Sequence, residues 1–478
     1  MKNRRQFLKT AFAAPAVLRA AQRARRPNVV YIITDDQRWD LLSLRGHPFV
    51  RTPNMDRIGR EGALFLNSFV TTSLCSPSRA TSLTGRYAHQ HGVQYNRSSE
   101  TFDQKEMTFP RLLHEAGYRT GYTGKWHIGN DASPRPGFDD WAVLPGQGVY
   151  NDPVFNVNGG RKTIPGHVDA ATAGFAERFL ASGDSGKPFC LCVGIKSPHA
   201  GQIPPPELES ELSAVEVPKP PGWYEDYARS GRSDAARNTC IHADTFFDGP
   251  QQLKGSWDRF IKDFYRSVMS ADRAVGRILD ALDRNGLAAN TLVIFVGDNG
   301  FFLGEHHLVD ERFPYEEALR IPMLVRYPKA VRSGAVIPQM ALNLDICPTV
   351  LDLCGVAIPG NVMGRSLRPL LEGKPVQGWR TEMFYEYAER IWQTPAMVAV
   401  RTGRYKYIEY LDPASTNELY DLAVDPGEMR NAIGDAGYGA VLADMRQRLE
   451  RLKRATGWKP PVAQGPNSPC PKREKPIV

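Results

Sequence analysis

Apolar runs of strand length alternate with helical patterns of apolar residues from Val29 to about Tyr327. Buried parallel strands read as short continuous apolar runs, whereas the helices that cover them repeat apolar residues every three to four positions. The pattern therefore predicts an α/β fold in which a large, mostly parallel sheet is sandwiched by helices. One long helix is predicted from Trp257 to Asn285, because its apolar residues keep helical spacing up to Gly286.

The pattern changes after roughly Gly378. Segments at hairpin spacing predict four short strands and one helix, near Met383 to Tyr387, Met397 to Arg401, Tyr405 to Tyr410, Glu418 to Leu422 and Ala440 to Thr456. These elements indicate a small C-terminal α+β subdomain, an antiparallel sheet with a packed helix. Because 478 residues exceed one ordinary core, we place the large α/β domain at 27–378, the subdomain at 379–460 and an extended, proline-rich tail at 461–478.

Four predicted strands of the large domain are followed directly by polar residues. After the strands Val29 to Thr34, Tyr118 to Gly124, Phe189 to Ile195 and Thr291 to Val296 come, in turn, Asp35 and Asp36, Lys125 and His127, His199, and Asp298 and Asn299. Ligands of open α/β sheets bind outside the carboxyl ends of the strands. We therefore expect these distant residues to converge on one cleft.

The two pairs of residues with side-chain oxygens, one after each of two strands, predict a metal site. Asp35, Asp36, Asp298 and Asn299 offer only oxygen ligands, which suit a hard divalent cation such as calcium or magnesium. Zinc would be expected to recruit histidine or cysteine. An adjacent pair of this kind is more often a turn or a helix cap, but two pairs at strand ends favour the metal.

The segment from Cys75 to Arg86 reads CSPSRATSLTGR. It resembles the type I sulfatase signature, in which an enzyme oxidises the cysteine to formylglycine. One alternative is a buried structural cysteine, which the seven further matching residues make much less favoured. Another is a cysteine thiolate nucleophile at a helix N-terminus, as in the tyrosine phosphatase loop. That loop has a longer interval between its cysteine and its arginine, and Thr81 stands where the arginine would be. Spacing therefore excludes this alternative.

Further segments extend the resemblance over nearly all of the chain that follows the N-terminal signal. They are GYTGKWH at 121–127, SPH at 197–199, GDNG at 297–300, GEH at 304–306, YEE at 315–317, RIP at 320–322, ELYD at 418–421 and DPGE at 425–428. The chain is identified as a member of the type I, formylglycine-dependent sulfatases of the alkaline phosphatase superfamily. The large domain would then be the catalytic domain of a sulfuric ester hydrolase.

The resemblance implies a role for each matching residue. Formylglycine made from Cys75 would be the nucleophile, Arg79 and Lys125 would offset the sulfate charge, His127 would assist the hydroxyls of the hydrated aldehyde, and His199 would protonate the leaving oxygen. The metal would be Ca²⁺ rather than Mg²⁺, held by Asp35, Asp36, Cys75, Asp298 and Asn299. Substrate contacts are expected from Lys125, His199 and Arg312.

One position departs from the family pattern. Many relatives carry a lysine that contacts the sulfate, often within Asp-Lys-Arg, whereas this chain reads Asp310-Glu311-Arg312. A carboxylate beside a bound sulfate would be repelled by it. Either Arg312 replaces the lysine, or the loop differs, or activity is reduced or redirected.

The N-terminus carries the excess positive charge. Residues 1–26 contain eight of the 60 lysines and arginines and no acidic residue, so that the other 52 basic residues match 52 acidic ones. Nothing in that balance argues for nucleic-acid binding. The segment NRRQFLK at 3–9, followed by an apolar stretch from Ala11 to Leu18, resembles a twin-arginine export signal; a disordered basic tail is the alternative.

Export and maturation imply the partners. We expect the twin-arginine translocase, a formylglycine-generating enzyme and a sulfated carbohydrate substrate, a periplasmic or secreted location, and no stable membrane insertion, because no apolar run is long enough to span a bilayer. Two other functions stay open. They are a phosphonate or phosphate ester hydrolase of the same fold, and a catalytically silent glycan-binding protein.

Overall fold

A computed structural model describes residues 26–96, 103, 105–183, 186–243 and 257–461. Apart from Arg26, the predicted export signal lies outside the described residues, and so does the predicted tail after residue 461.

The strands are β1 (Asn28–Thr34), β2 (Ala63–Phe69), β3 (Arg119–Lys125), β4 (Asp140–Leu144), β5 (Val154–Val157), β6 (Gly160–Thr163), β7 (Phe189–Gly194), β8 (Thr291–Gly297), β9 (Phe302–Leu303), β10 (Val309–Asp310), β11 (Met323–Arg326), β12 (Ala335–Leu342), β13 (Glu382–Tyr387), β14 (Met397–Thr402), β15 (Tyr405–Tyr410) and β16 (Glu418–Asp421). The helices are α1 (Pro53–Arg60), α2 (Cys75–Thr84), α3 (Ala88–His91), α4 (Phe109–Glu115), α5 (Val168–Ala181), α6 (Tyr227–Ser230), α7 (Asp234–Asn238), α8 (Trp257–Arg284), α9 (Glu316–Leu319), α10 (Ile346–Leu353), α11 (Arg368–Leu371) and α12 (Gly439–Thr456). The strands and helices that were predicted with boundaries agree with these within one residue at each end.

The large domain is built on a ten-stranded sheet with the order β12-β2-β11-β8-β1-β7-β3-β4-β5-β6. Its centre is parallel, because β1 pairs in parallel with β7 and β8, and β3 pairs in parallel with β7 and β4. Strand β11 runs antiparallel to both of its neighbours, and β5 and β6 form an antiparallel edge. The predicted α/β class is confirmed, with a mixed sheet around the parallel centre.

Both faces of the sheet are covered by helices. On β1, Val30 and Ile32 belong to an apolar cluster that includes Val275 of α8, and α8 packs on α5 and α1. The alternate residue Tyr31 points the other way, and its ring meets that of Phe109 in α4 with centroids 5.6 Å apart. A central strand buried on both faces reads as a continuous apolar run, which explains why periodicity located β1.

The C-terminal subdomain is a four-stranded antiparallel sheet, β13-β14-β15-β16, with α12 packed against it. Buried charges join it to the large domain. Lys406 of β15 is fully buried, and its ammonium lies 3.0 Å from Glu316 of α9 and 2.7 Å from Glu428. Arg401 of β14 adds a contact of 3.1 Å to Glu316.

We expect Lys406→Met to destabilise the protein strongly. Loss of the ammonium leaves Glu428 buried without its cation and Glu316 with fewer partners, and breaking a buried pair costs about 3–5 kcal/mol. The measurement is the urea unfolding midpoint. Lys374→Met is the control, since the Lys374 side chain is 65% exposed and its pair with Glu372 should contribute less than about 1 kcal/mol. Equal midpoints for the two variants would contradict a joining role for Lys406.

Candidate active site

The ends of the central strands bring the predicted acidic residues together. Asp35 and Asp36 follow β1, Asp298 and Asn299 follow β8, and all four side chains are buried. The backbone N–H of Asp36 donates to Asp298 Oδ1 at 2.9 Å, and Asn299 Nδ2 donates to Asp36 Oδ1 at 2.8 Å. Asp36 has a φ of 65°, a left-handed conformation that is uncommon for a residue other than glycine. Backbone and side-chain contacts thus fix the carboxylates at one point.

Two buried cations face this acidic cluster. Arg79 Nε donates to Asp298 Oδ2 at 2.8 Å, and the same guanidinium lies 3.5 Å from Asp35. The Lys125 ammonium forms an ion pair with Asp35. Burial alone would raise the pKa of Asp35, but the nearby charges of Lys125, His199 and Arg79 hold it well below its usual range.

Cys75 is the first residue of α2, and its Sγ lies 4.0 Å from Asp36 Oδ1. The serines that follow it anchor the helix to the strand ends. Ser76 Oγ donates to the His127 carbonyl at 2.5 Å, and Ser78 Oγ donates to the Asp298 carbonyl. Burial and the charge of Asp35 raise the pKa of the Cys75 thiol well above its ordinary value. The thiol therefore stays protonated, which argues against a thiolate nucleophile.

The two predicted histidines both lie close enough to Asp35 and Lys125 to feel their charges. His127 is buried, and its Nδ1 has no hydrogen-bond partner among the described residues. His199 donates from Nδ1 to the Ala200 carbonyl at 3.0 Å, which leaves Nε2 for a ligand. Burial and the charge of Lys125 lower the pKa of both imidazoles. Both rings are therefore neutral before an anion binds.

The oxygen atoms of the cluster fit a divalent cation. A carboxylate oxygen of Asp35, a carboxylate oxygen of Asp36 and the Sγ of Cys75 lie within 4.8 Å of one another. Within the described part of the chain, Asp35 Oδ1 and Asn299 Oδ1 are buried without a hydrogen bond. Burial and the neighbouring carboxylates raise the pKa of Asp36, and burial with the charge of Asp35 raises that of Asp298 to about 7. A bound cation would supply the missing positive charge.

The side chains of Glu311 and Arg312 have different partners. Glu311 is buried, and burial together with Asp310 and Asp36 raises its carboxyl pKa well above the usual range. The Arg312 guanidinium instead lies 2.9 Å from Glu389 and 3.0 Å from the Tyr387 hydroxyl. Arg312 is thus held by the C-terminal subdomain, and its predicted substrate contact stays a prediction. The group placed near the cluster is Glu311 itself.

Sequence reasoning missed three kinds of residue. Ser76 and Ser78 stand inside the cysteine signature, so their supporting role was readable from the motif. Asn96 accepts the Ser76 N–H at 2.9 Å from a loop without a recognisable pattern. Lys196, one turn before His199, is buried beside the site, and an isolated lysine next to an apolar strand carries no such signal.

Comparison with known proteins identifies the family. Residues 27–356 match the sulfatase family, and residues 304–455 match the family described as N-sulphoglucosamine sulphohydrolase, C-terminal. The chain belongs to the sulfatase family. The predicted family, within the alkaline phosphatase superfamily, and the predicted class of sulfuric ester hydrolase are thereby confirmed.

Individual relatives cover almost the whole sulfatase chain. An N-acetylglucosamine-6-O-sulfatase of Bacteroides thetaiotaomicron is 32% identical over 91% of this chain and 87% of its own length. A similar protein has a solved structure in complex with its substrate, D-glucosamine-2-N,6-O-disulfate. That structure matches the present one with a TM-score of 0.84 at 32% identity, over 90% of this chain and 98% of its own. A multifunctional alkaline phosphatase superfamily protein of Trinickia caryophylli is 28% identical over 88% of this chain and 94% of its own.

None of the helices that the structure describes is long and apolar enough to cross a membrane.

We expect Ca²⁺ to raise the melting temperature of EDTA-treated protein, because a ligand at about 1,000 times its Kd stabilises the folded state by about 4 kcal/mol. Asp36→Asn should remove most of this calcium shift and should itself stabilise the metal-free protein by reducing repulsion. Asp272→Asn is the matched control, since Asp272 is equally buried but accepts the Asn54 and Met55 N–H groups at 3.0 and 2.7 Å. A calcium shift retained in full by Asp36→Asn would rule out this site.

Proposed function

We propose that this sulfatase is exported and hydrolyses sulfate monoesters of a sulfated glycan, using a formylglycine made from Cys75 and a bound Ca²⁺ ion. The observation that carries the proposal is the buried Sγ of Cys75, at the start of α2, which lies 4.0 Å from Asp36 Oδ1. Next to it are the ion pairs of Arg79 with Asp298 and of Lys125 with Asp35. A plain structural cysteine would not need charged partners of both signs around it.

The proposed chemistry divides between the modified residue and the fixed charges. When present, the hydrated formylglycine supplies the attacking hydroxyl and the calcium ion supplies Lewis-acid charge, held by Asp35, Asp36, Asp298 and Asn299. A sulfate monoester is an anion that repels nucleophiles, so fixed positive groups must offset its charge. Lys125 is such a group, and Arg79 holds Asp298 and the Lys125 carbonyl in place.

The histidines move the protons. The ring of His199 uses its Nδ1–H in a bond to the Ala200 carbonyl, which leaves Nε2 for the substrate. A bound anion favours the protonated imidazole, and Nε2–H then donates to the leaving oxygen. His127 is neutral, and its Nδ1, which has no hydrogen-bond partner among the described residues, can accept a proton.

The similar proteins support the substrate class. One is named an N-acetylglucosamine-6-O-sulfatase, and the solved structure holds a disulfated glucosamine. We therefore infer a sulfated glycan, with 6-O-sulfated glucosamine as the first sugar to test. The twin-arginine segment at 3–9 fits this inference, since export to the periplasm or beyond brings the enzyme to polymers that do not enter the cell.

The first assay compares ester classes. Protein co-expressed with a formylglycine-generating enzyme should release sulfate from 4-nitrophenyl sulfate and from 6-O-sulfated glucosamine, and Cys75→Ala should lower the rate at least about 10³-fold, because the nucleophile is lost.

Two results would contradict this account. Faster turnover of an aryl phosphonate than of the aryl sulfate would favour the phosphonate hydrolase. Binding of a sulfated glycan without any release of sulfate would favour the silent binding protein.

We expect Glu311→Gln to keep kcat/KM for 4-nitrophenyl sulfate within about threefold of the wild type. Burial and the nearby carboxylates raise the pKa of Glu311 and so favour its neutral carboxyl form, and an amide is also a neutral hydrogen-bonding group of similar size. A neutral group does not repel sulfate. A large fall in KM on this substitution would instead show that Glu311 is ionised and hinders binding.

A further inference from the structure

Lys196 is a buried lysine that the proposed mechanism does not use. Its side chain is 4% exposed, and its ammonium lies 4.7 Å from the centroid of the Tyr150 ring. Among the described residues it forms no ion pair and donates no hydrogen bond through Nζ. Burying an ammonium without a carboxylate partner is costly, so the position needs another explanation.

The fold holds Lys196 at the site. It is the second residue after β7, and its carbonyl accepts the His199 N–H at 3.1 Å. The Tyr150 hydroxyl donates to the His199 carbonyl at 2.7 Å, so the ring under the ammonium also fixes the histidine. Lys196 and His199 are therefore linked both through the backbone and through the Tyr150 side chain.

The charged and titratable groups that face the Lys196 ammonium come from several elements: Lys125 of β3, Asp35 and Asp36 after β1, Asp169 of α5, and His199. The carboxylates among them have other partners. Asp35 pairs with Lys125, Asp36 accepts from Asn299, and Asp169 accepts the hydroxyls of Ser197 and Ser270. The charge of Lys125 acts on Lys196, and Lys196 has no carboxylate partner of its own among the described residues, so that an additional anion would offset its charge.

We propose that Lys196 binds the sulfate group of the substrate together with Lys125, and that it replaces the lysine absent from the family pattern at Glu311. This inference rests on the proposed function. The replacing charge comes from the segment that carries His199, whereas the usual lysine comes from the loop at 310–312. The segment 196–199 would then contact both the bound sulfate, through Lys196, and the leaving oxygen, through His199.

Binding to the inactive Cys75→Ser protein tests the proposal without turnover. In the presence of Ca²⁺, Lys196→Met should weaken its binding of 4-nitrophenyl sulfate about 10- to 100-fold, the usual effect of removing a charged hydrogen-bond donor. This ester carries no second anion, so the loss would place Lys196 at the sulfate ester. Lys329→Met, a change at an exposed lysine, should leave the Kd unchanged.

Stability and pH separate a binding role from a structural one. Lys196→Met should raise the melting temperature, because it removes an unpaired buried charge, whereas a structural lysine would lower it on substitution. Burial and the charge of Lys125 lower the pKa of Lys196 to about 8. The ammonium is charged below that pH, so binding to the Cys75→Ser protein should weaken as the pH rises through about 8, and Lys196→Arg should bind at higher pH.

Three outcomes would overturn the role of Lys196. They are an unchanged Kd in Lys196→Met, a loss seen only with a disulfated sugar, and a lowered melting temperature without loss of affinity. If the wild-type protein releases no sulfate while the Cys75→Ser protein binds the ester in a Lys196-dependent way, the proposed function fails and the binding role stands.

Discussion

The structure depends on the crowding of three buried carboxylates, those of Asp35, Asp36 and Asp298, at the ends of two neighbouring strands. Burial, together with the repulsion between these like charges, raises the pKa values of Asp36 and Asp298. Arg79 and Lys125 offset part of the negative charge. The proposed cation would offset the negative charge that remains.

The parallel centre of the sheet and helix α2 bring the charged residues together. Parallel pairing of β1 with β7 and β8, and of β7 with β3, aligns four strand ends. Helix α2 then brings Cys75 to the same place, tied by the hydroxyls of Ser76 and Ser78 to the carbonyls of His127 and Asp298. All residues of β1, β7 and β8 are buried, so a packed core supports the functional groups that follow these strands.

Much of this arrangement could be predicted from the sequence. Strands buried on both faces leave continuous apolar runs, and the polar residues after β1, β3, β7 and β8 mark the edge where ligands bind. The order of the sheet was not readable, because β11 returns antiparallel between β8 and β2, and such long-range pairing leaves no local pattern.

The charge states of buried side chains were the other property that the sequence did not predict. Glu311 was expected to repel sulfate, but its burial, a tertiary property, raises its pKa. The sequence gives no sign of the role of Lys196, because only the folded structure shows that its ammonium has no ion pair among the described residues. Arg312 was expected at the substrate, and the contacts with Glu389 and Tyr387 that hold it come from a subdomain far along the chain.

The central claim is that this cluster of charges surrounds a modified residue and not a cysteine. The most direct measurement is the mass of the peptide that contains Cys75, taken from protein produced with a formylglycine-generating enzyme. The account predicts a loss of about 18 Da at Cys75, the change from thiol to aldehyde. An unmodified Cys75, under conditions in which a control sulfatase is fully converted, would contradict it.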